Sequence, residues 1–150
     1  MKLRGILMLC ALLFCIGVTA ALVAQVPASG PQGRFLAYDV LIDSHAHPLG
    51  VYQIDIVAPP EVRIVGVEGG DSPAFHNAPY YDPQALSHSR VILAAFSLDK
   101  SLPTTMTRVA RLHVHVTGGA STIAFRPTLV AAADQDAKAI PATVIIQETP

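Results

Sequence analysis

RVARLHVHV, residues 108–116, alternates strictly between apolar and polar side chains from Ala110 onward. A period of two is the period of a pleated strand, so Ala110, Leu112, Val114 and Val116 share one face and Arg111, His113 and His115 the other. A strand with one apolar face cannot bury that face alone. It needs neighbours of the same pattern and a second layer to cover them.

Those neighbours lie on both sides of it in the sequence. Leu36, Tyr38, Val40 and Ile42 share one face of a first strand. Tyr52, Ile54 and Ile56 share one face of a second, beyond a turn at Pro48-Leu49-Gly50. Pro59-Pro60 breaks the chain, and EVRIVGVEGG (61–70) reads as a third strand closed by a Gly-Gly turn. RVILAAFSL (90–98) is apolar on both faces, which predicts a central strand covered on both sides. TIAFRPTLVAAA (122–133) and ATVIIQ (142–147) complete the set, with DQDAKAIP (134–141) as a polar turn between them. From Asp71 to His88 the chain reads as a long loop, in which Pro73, Pro79 and Pro83 exclude regular structure. No segment beyond the N-terminal leader carries a sustained helical period with caps. The pattern predicts an all-β protein, an antiparallel two-sheet β-sandwich.

The N-terminus is of another kind. Lys2 and Arg4 precede an uncharged run from Gly5 to Ala24, with small residues at Ala20, Ala21 and Ala24. This layout predicts an apolar leader helix acting as a signal peptide over residues 1–24, cut after Ala24 or alternatively after Ala20. A retained membrane anchor is the competing reading, since about 20 apolar residues span a bilayer. Residues 25–33, QVPASGPQG, read as a flexible tether, and 34–150 as the domain. The expected location is secreted or cell-envelope, with membrane contact only through an uncleaved leader.

Both cysteines, Cys10 and Cys15, fall in the leader. The mature chain would have neither a disulfide nor a thiolate metal site. Removing residues 1–24 takes away two of ten basic residues and none of eleven acidic ones, so eight minus eleven leaves a net charge of −3. A mildly acidic chain lacks the electrostatic footprint of a nucleic-acid binder.

Histidines pose the sharpest chemical question. VLIDSHAHP (40–48) ends an apolar strand with His45 and His47, as the first strand of many metal-dependent hydrolases does. Those enzymes use a (β/α)8 barrel of about 250 residues with a helix after every strand. Here a turn and another strand follow, which excludes the barrel. His113 and His115 emerge on one strand face and suit zinc or copper if further ligands arrive. The plainer reading is an outward strand face that wants polar residues. Asp134 and Asp136 lack the further oxygen ligands of a calcium loop, and Asp39 and Asp43 read as strand-surface charges. No Gly-x-Ser-x-Gly elbow and no phosphate-cradling glycine loop is present. No catalytic, cofactor-binding or metal-ligating residue is assigned, no cofactor is expected, and the ligand-binding residues are left unplaced.

One stretch is more specific than the alternation around it. GVYQIDIVAPPEVRIVGVEGGD (50–71), then SRVILAAFSLD (89–99) and TRVARLHVHV (107–116), resembles the cohesin domain. In that family a glycine-led strand is followed by a turn, a strand ending in a glycine turn, a loop, and a strand closing on Ala-Phe-like residues. Val40 to Val116 carries the likeness, and the strands to Gln147 complete the same sandwich. The resemblance implies a jelly-roll related to carbohydrate-binding modules. It also implies a non-enzymatic recognition module that binds dockerin-like or other extracellular protein modules, typically through one flat sheet face, in assemblies linked to polysaccharide degradation. Two other readings stay open. A carbohydrate-binding module would use an aromatic platform. The chain has no tryptophan, so PYYDP (79–83) with Tyr80 and Tyr81 is its best candidate. The other is a small metal-binding or metallohydrolase protein built on the His-x-His pairs.

Overall fold

The computed structural model describes residues 33–119 and 121–150. The expected signal peptide, its helix and, apart from Gly33, the tether lie outside the described residues. Seven strands follow: β1 (Arg34–Asp43), β2 (Val51–Val57), β3 (Val62–Gly69), β4 (Arg90–Phe96), β5 (Thr107–Val116), β6 (Arg126–Ala133) and β7 (Thr143–Glu148).

Odd-numbered strands make one sheet, in the order β3-β5-β1-β7, and even-numbered strands make the other, β4-β2-β6. Every pairing is antiparallel. The chain therefore changes layer at each connection, and strands adjacent in sequence never pair. Local chemistry explains this: no connection has the tight two-residue Asn-Gly or Asp-Gly form that joins hairpin partners. Pro59-Pro60 between β2 and β3 lacks the donors and positive φ that such a turn requires.

The core is the set of inward faces anticipated from the alternation. Val40 and Ile42 of β1, Tyr52, Ile54 and Ile56 of β2, Val62 and Ile64 of β3, and Val91 and Leu93 of β4 are all buried, as are Leu112, Val114 and Val116 of β5. The Tyr52 hydroxyl reaches through the core and donates to the Val109 carbonyl at 3.2 Å. Burial raises the pKa of this phenol, so it stays a neutral donor. The long loop runs along the β3 and β4 edges of the two sheets, bonding Ile64 through Ser87 and His88, and Ala94 through Tyr80. Its Pro73 opens a 3-10 turn, Pro73–Phe75, that drives buried Phe75 against Tyr52, ring centroids 5.3 Å apart. Pro83 opens a second such turn, Pro83–Ala85. The prolines thus start short helical turns, where the sequence predicted no regular structure.

Three further expectations need correction. β4 is an edge strand, not a central one, and its outward residues face solvent, with Ile92 43% and Phe96 73% exposed. Asp39, read as a surface charge, is buried on the outer side of β1 and is held by arginines. The strand predicted from residue 122 begins at Arg126. Phe125 before it instead turns its ring edge to Tyr38, at a centroid distance of 4.8 Å.

Candidate functional site

The two sheets turn very different outer faces to solvent. On β3-β5-β1-β7 the charges pair among themselves. Arg111 Nε donates to Asp39 Oδ1 at 2.7 Å, Arg108 Nη1 reaches the same oxygen at 3.3 Å, and Arg108 also bonds Asp71. Burial opposes ionisation of Asp39, but Arg111 and Arg108 outweigh it and hold the carboxyl below its ordinary value. His113 Nε2 stands 2.9 Å from Glu68 Oε1 without the alignment of a hydrogen bond. This face is largely satisfied within itself.

The outer face of β4-β2-β6 is not. Registers place its residues in four rows: Phe96–Val51–Ala133, Ala94–Gln53–Ala131, Ile92–Asp55–Thr128 and Arg90–Val57–Arg126. Tyr80, from the long loop, adds a single residue to the edge of β4. Its N–H donates to the Ala94 carbonyl at 2.8 Å and its carbonyl accepts from the Ala94 N–H at 3.0 Å. A bridged pair points its side chains the same way, so Tyr80 rises beside the alanine row. The result is a shallow trough of about 400 Å³, floored by Ala94, Ala131, Val51 and Gln53 and walled by Tyr80 and Phe96.

Exposed apolar residues concentrate here: Tyr80 81%, Phe96 73%, Val130 55% and Ile92 43%. Scattered exposed apolar groups are ordinary, whereas a contiguous patch marks an interaction surface. Covering Phe96 alone would contribute about 1.5–3 kcal/mol. The far end of the face is polar. Arg90 clasps Asp55 with two hydrogen bonds, of 3.0 and 2.8 Å, which lower the Asp55 pKa. Arg126, exposed across Val57, has no partner among the described residues.

The structure separates the histidine pairs. His113 and His115 lie opposite Ala37 and Phe35, early in β1, whereas His45 and His47 lie past its other end. Eight residues of strand separate Ala37 from His45, roughly 25 Å. His45 and Ala46 both adopt positive φ (48° and 69°), and His47 N–H donates to the Ser44 carbonyl at 2.9 Å. This pair sits in a tight turn, its first imidazole 3.4 Å from Asp43. His115 lies against Phe35, ring centroids 4.9 Å apart with the planes tilted by 40°. Among the described residues, no group of three histidine, cysteine or acidic side chains is arranged to hold a metal ion. Asp134 and Asp136 belong to a turn in which Asp134 Oδ1 accepts from the Asp136 and Lys138 N–H groups, both at 3.0 Å.

Of the two loop tyrosines, Tyr81 packs against the core and Tyr80 stands free on the face. Sequence reasoning found Tyr80 but missed Ile92, Ala94 and Phe96, because the doubly apolar 90–98 was read as buried on both sides. The available signal was Arg90 at the head of that segment: it belongs to the same face as Ile92, Ala94 and Phe96, and a basic residue on that face argues for solvent.

With this geometry in view, comparison with known proteins bears on the fold. The chain superposes on a solved structure described as a non-cellulosomal cohesin from the hyperthermophilic archaeon Archaeoglobus fulgidus. The TM-score is 0.58 at 16% identity, covering 75% of this chain and 76% of that one. The fold is cohesin-like. No protein-family model matches the chain, and no curated protein does.

Proposed function

We propose that this chain is a non-enzymatic recognition module that binds another protein through the outer face of β4-β2-β6. The observation that carries the reading is the exposed apolar trough between Tyr80 and Phe96, at one end of a sheet face whose other end carries Arg126. The cohesin-like fold supports a protein module as the partner, dockerin-like or otherwise. Export through the leader would place it in an extracellular or envelope assembly, with polysaccharide degradation as the setting the resemblance implies. A partner suited to this face presents an apolar ridge over Ala94 and Ala131 and a carboxylate toward Arg126.

The test is capture from the native secretome with the full chain as bait. Tyr80→Ala with Phe96→Ala should abolish retention of the captured protein, while Phe35→Ala, an equally exposed aromatic on the other sheet, should retain it. Loss with both variants, or with neither, would reject this face. The carbohydrate reading has one observation in its favour, that Tyr80 and Phe96 are exposed aromatics on one face. It predicts retention of the chain on an insoluble glycan, abolished by Tyr80→Ala.

A further inference from the structure

A sheet edge presents a row of unpaired N–H and C=O groups, and folded proteins usually blunt it. Three of the four edges here carry a device that does so. Along β3, Ile64 N–H donates to the His88 carbonyl at 2.8 Å and Ser87 N–H to the Ile64 carbonyl at 2.7 Å. On β4 the Tyr80–Ala94 pair closes the middle of the edge. Along β6, Ile140 N–H donates to the Ala132 carbonyl at 3.0 Å, and Pro127 removes a donor near the other end. On β7, among the described residues, backbone hydrogen bonds go to β1 alone.

The phase of that free edge can be read from one bond. Thr149 N–H donates to the Ala37 carbonyl at 2.9 Å, in register with the β1–β7 ladder. Hydrogen-bonded pairs alternate in an antiparallel ladder. Thr143, Ile145 and Gln147 therefore turn their backbone groups toward β1, and Val144, Ile146 and Glu148 turn theirs outward. The strand itself, TVIIQE, is β-branched through its first four residues and uncharged until Glu148. Val144 and Ile146 point inward yet are only half-buried, and Ile145 on the outer face is 41% exposed.

The geometry points to antiparallel pairing of β7 with β7 of a second copy, centred on Ile145, which would join two four-stranded sheets into one. A two-fold axis perpendicular to the sheet keeps inner faces together only when a residue opposes its own equivalent at the centre. Centred on Ile145, this symmetry sets Val144 against Ile146, Thr143 against Gln147 and Glu148 against Ala142. Apolar meets apolar and polar meets polar. The two Glu148 carboxylates lie about 20 Å apart, at opposite ends of the pairing. The outward N–H and C=O groups of Val144 and Ile146 complete one another. An interface one short strand wide falls below about 1,200 Å², so its affinity is on the order of micromolar or weaker. The outer face of β4-β2-β6 stays free in this dimer, which makes it bivalent for whatever that face binds.

Two measurements test this independently of the proposed function. Sedimentation of the full chain in a mild detergent, which masks the apolar leader, should show the average mass rising toward a dimer with concentration. Ile145→Lys should remain monomeric with an unchanged unfolding midpoint, because the side chain is exposed. In a Cys10→Ser, Cys15→Ser background, Ile145→Cys should form a disulfide-linked dimer on mild oxidation. Gln147→Cys, which would face Thr143, should not. Equal masses for wild type and Ile145→Lys at every concentration, or equal cross-linking at positions 145 and 147, would overturn the proposal.

Discussion

Leu93 and Ile92 are adjacent on β4 and nearly equal in size, yet the sandwich assigns them opposite fates. Leu93 is fully buried between the sheets and Ile92 is 43% exposed on the outer face. Truncating Leu93 to alanine removes buried methyl groups and leaves a cavity, at a cost of about 2–5 kcal/mol. Ile92→Ala loses only strand propensity and part of a half-exposed contact, below about 1 kcal/mol. With a urea m-value of about 1–3 kcal/mol/M, the Leu93 variant should lower the unfolding midpoint by about 1–2 M with m unchanged. The Ile92 variant should shift it by less than about 0.5 M. Equilibrium urea unfolding followed by tyrosine fluorescence reads both. Equal losses would mean that both faces of β4 are inside, as the doubly apolar sequence alone suggests, and the exposed face would be lost with them.

Asp39→Ala strands Arg111 and Arg108 and should cost about 1–3 kcal/mol at neutral pH, measured by the same unfolding assay. The folded Asp39 binds its proton more weakly than the unfolded one, so its contribution is complete above the ordinary value of 3.8 and is lost as pH falls through the lower folded value. The difference between wild type and variant should therefore shrink in acid. Gly69→Ala should be strongly destabilising, because a Cβ there runs into the His76 backbone carbonyl, and a Tm unchanged in differential scanning calorimetry would contradict that packing. Zinc titration by calorimetry should show no tight stoichiometric site, since the two histidine pairs occupy opposite ends of β1.

The inward faces were legible because burial enforces a period of two. Tyr38, Val40 and Ile42 on β1 and Ala110 to Val116 on β5 follow it without a break, and the core forms from them. Two kinds of fact were not legible. One is which strand lies at an edge, because pairing between strands distant in sequence leaves no local trace. β4 is flanked by β2 on one side and by a single loop residue on the other, and nothing in RVILAAFSL states that. The other is the meaning of outward apolar residues. A residue covered by its own fold and one awaiting a partner have the same composition, so Phe96 and Ala94 looked like core. Asp39 was misjudged for a related reason: its cover comes from Arg108 and Arg111, some 70 residues away in sequence.

Hydrogen exchange, read by mass spectrometry on the full chain before and after addition of the captured secretome protein, tests the binding face most directly. The account predicts slowed exchange in β2, β4, β6 and the loop around Tyr80, with β1, β3 and β5 unchanged. Protection concentrated on the Asp39–Arg111 side, with the Tyr80–Phe96 trough unaffected, would contradict it.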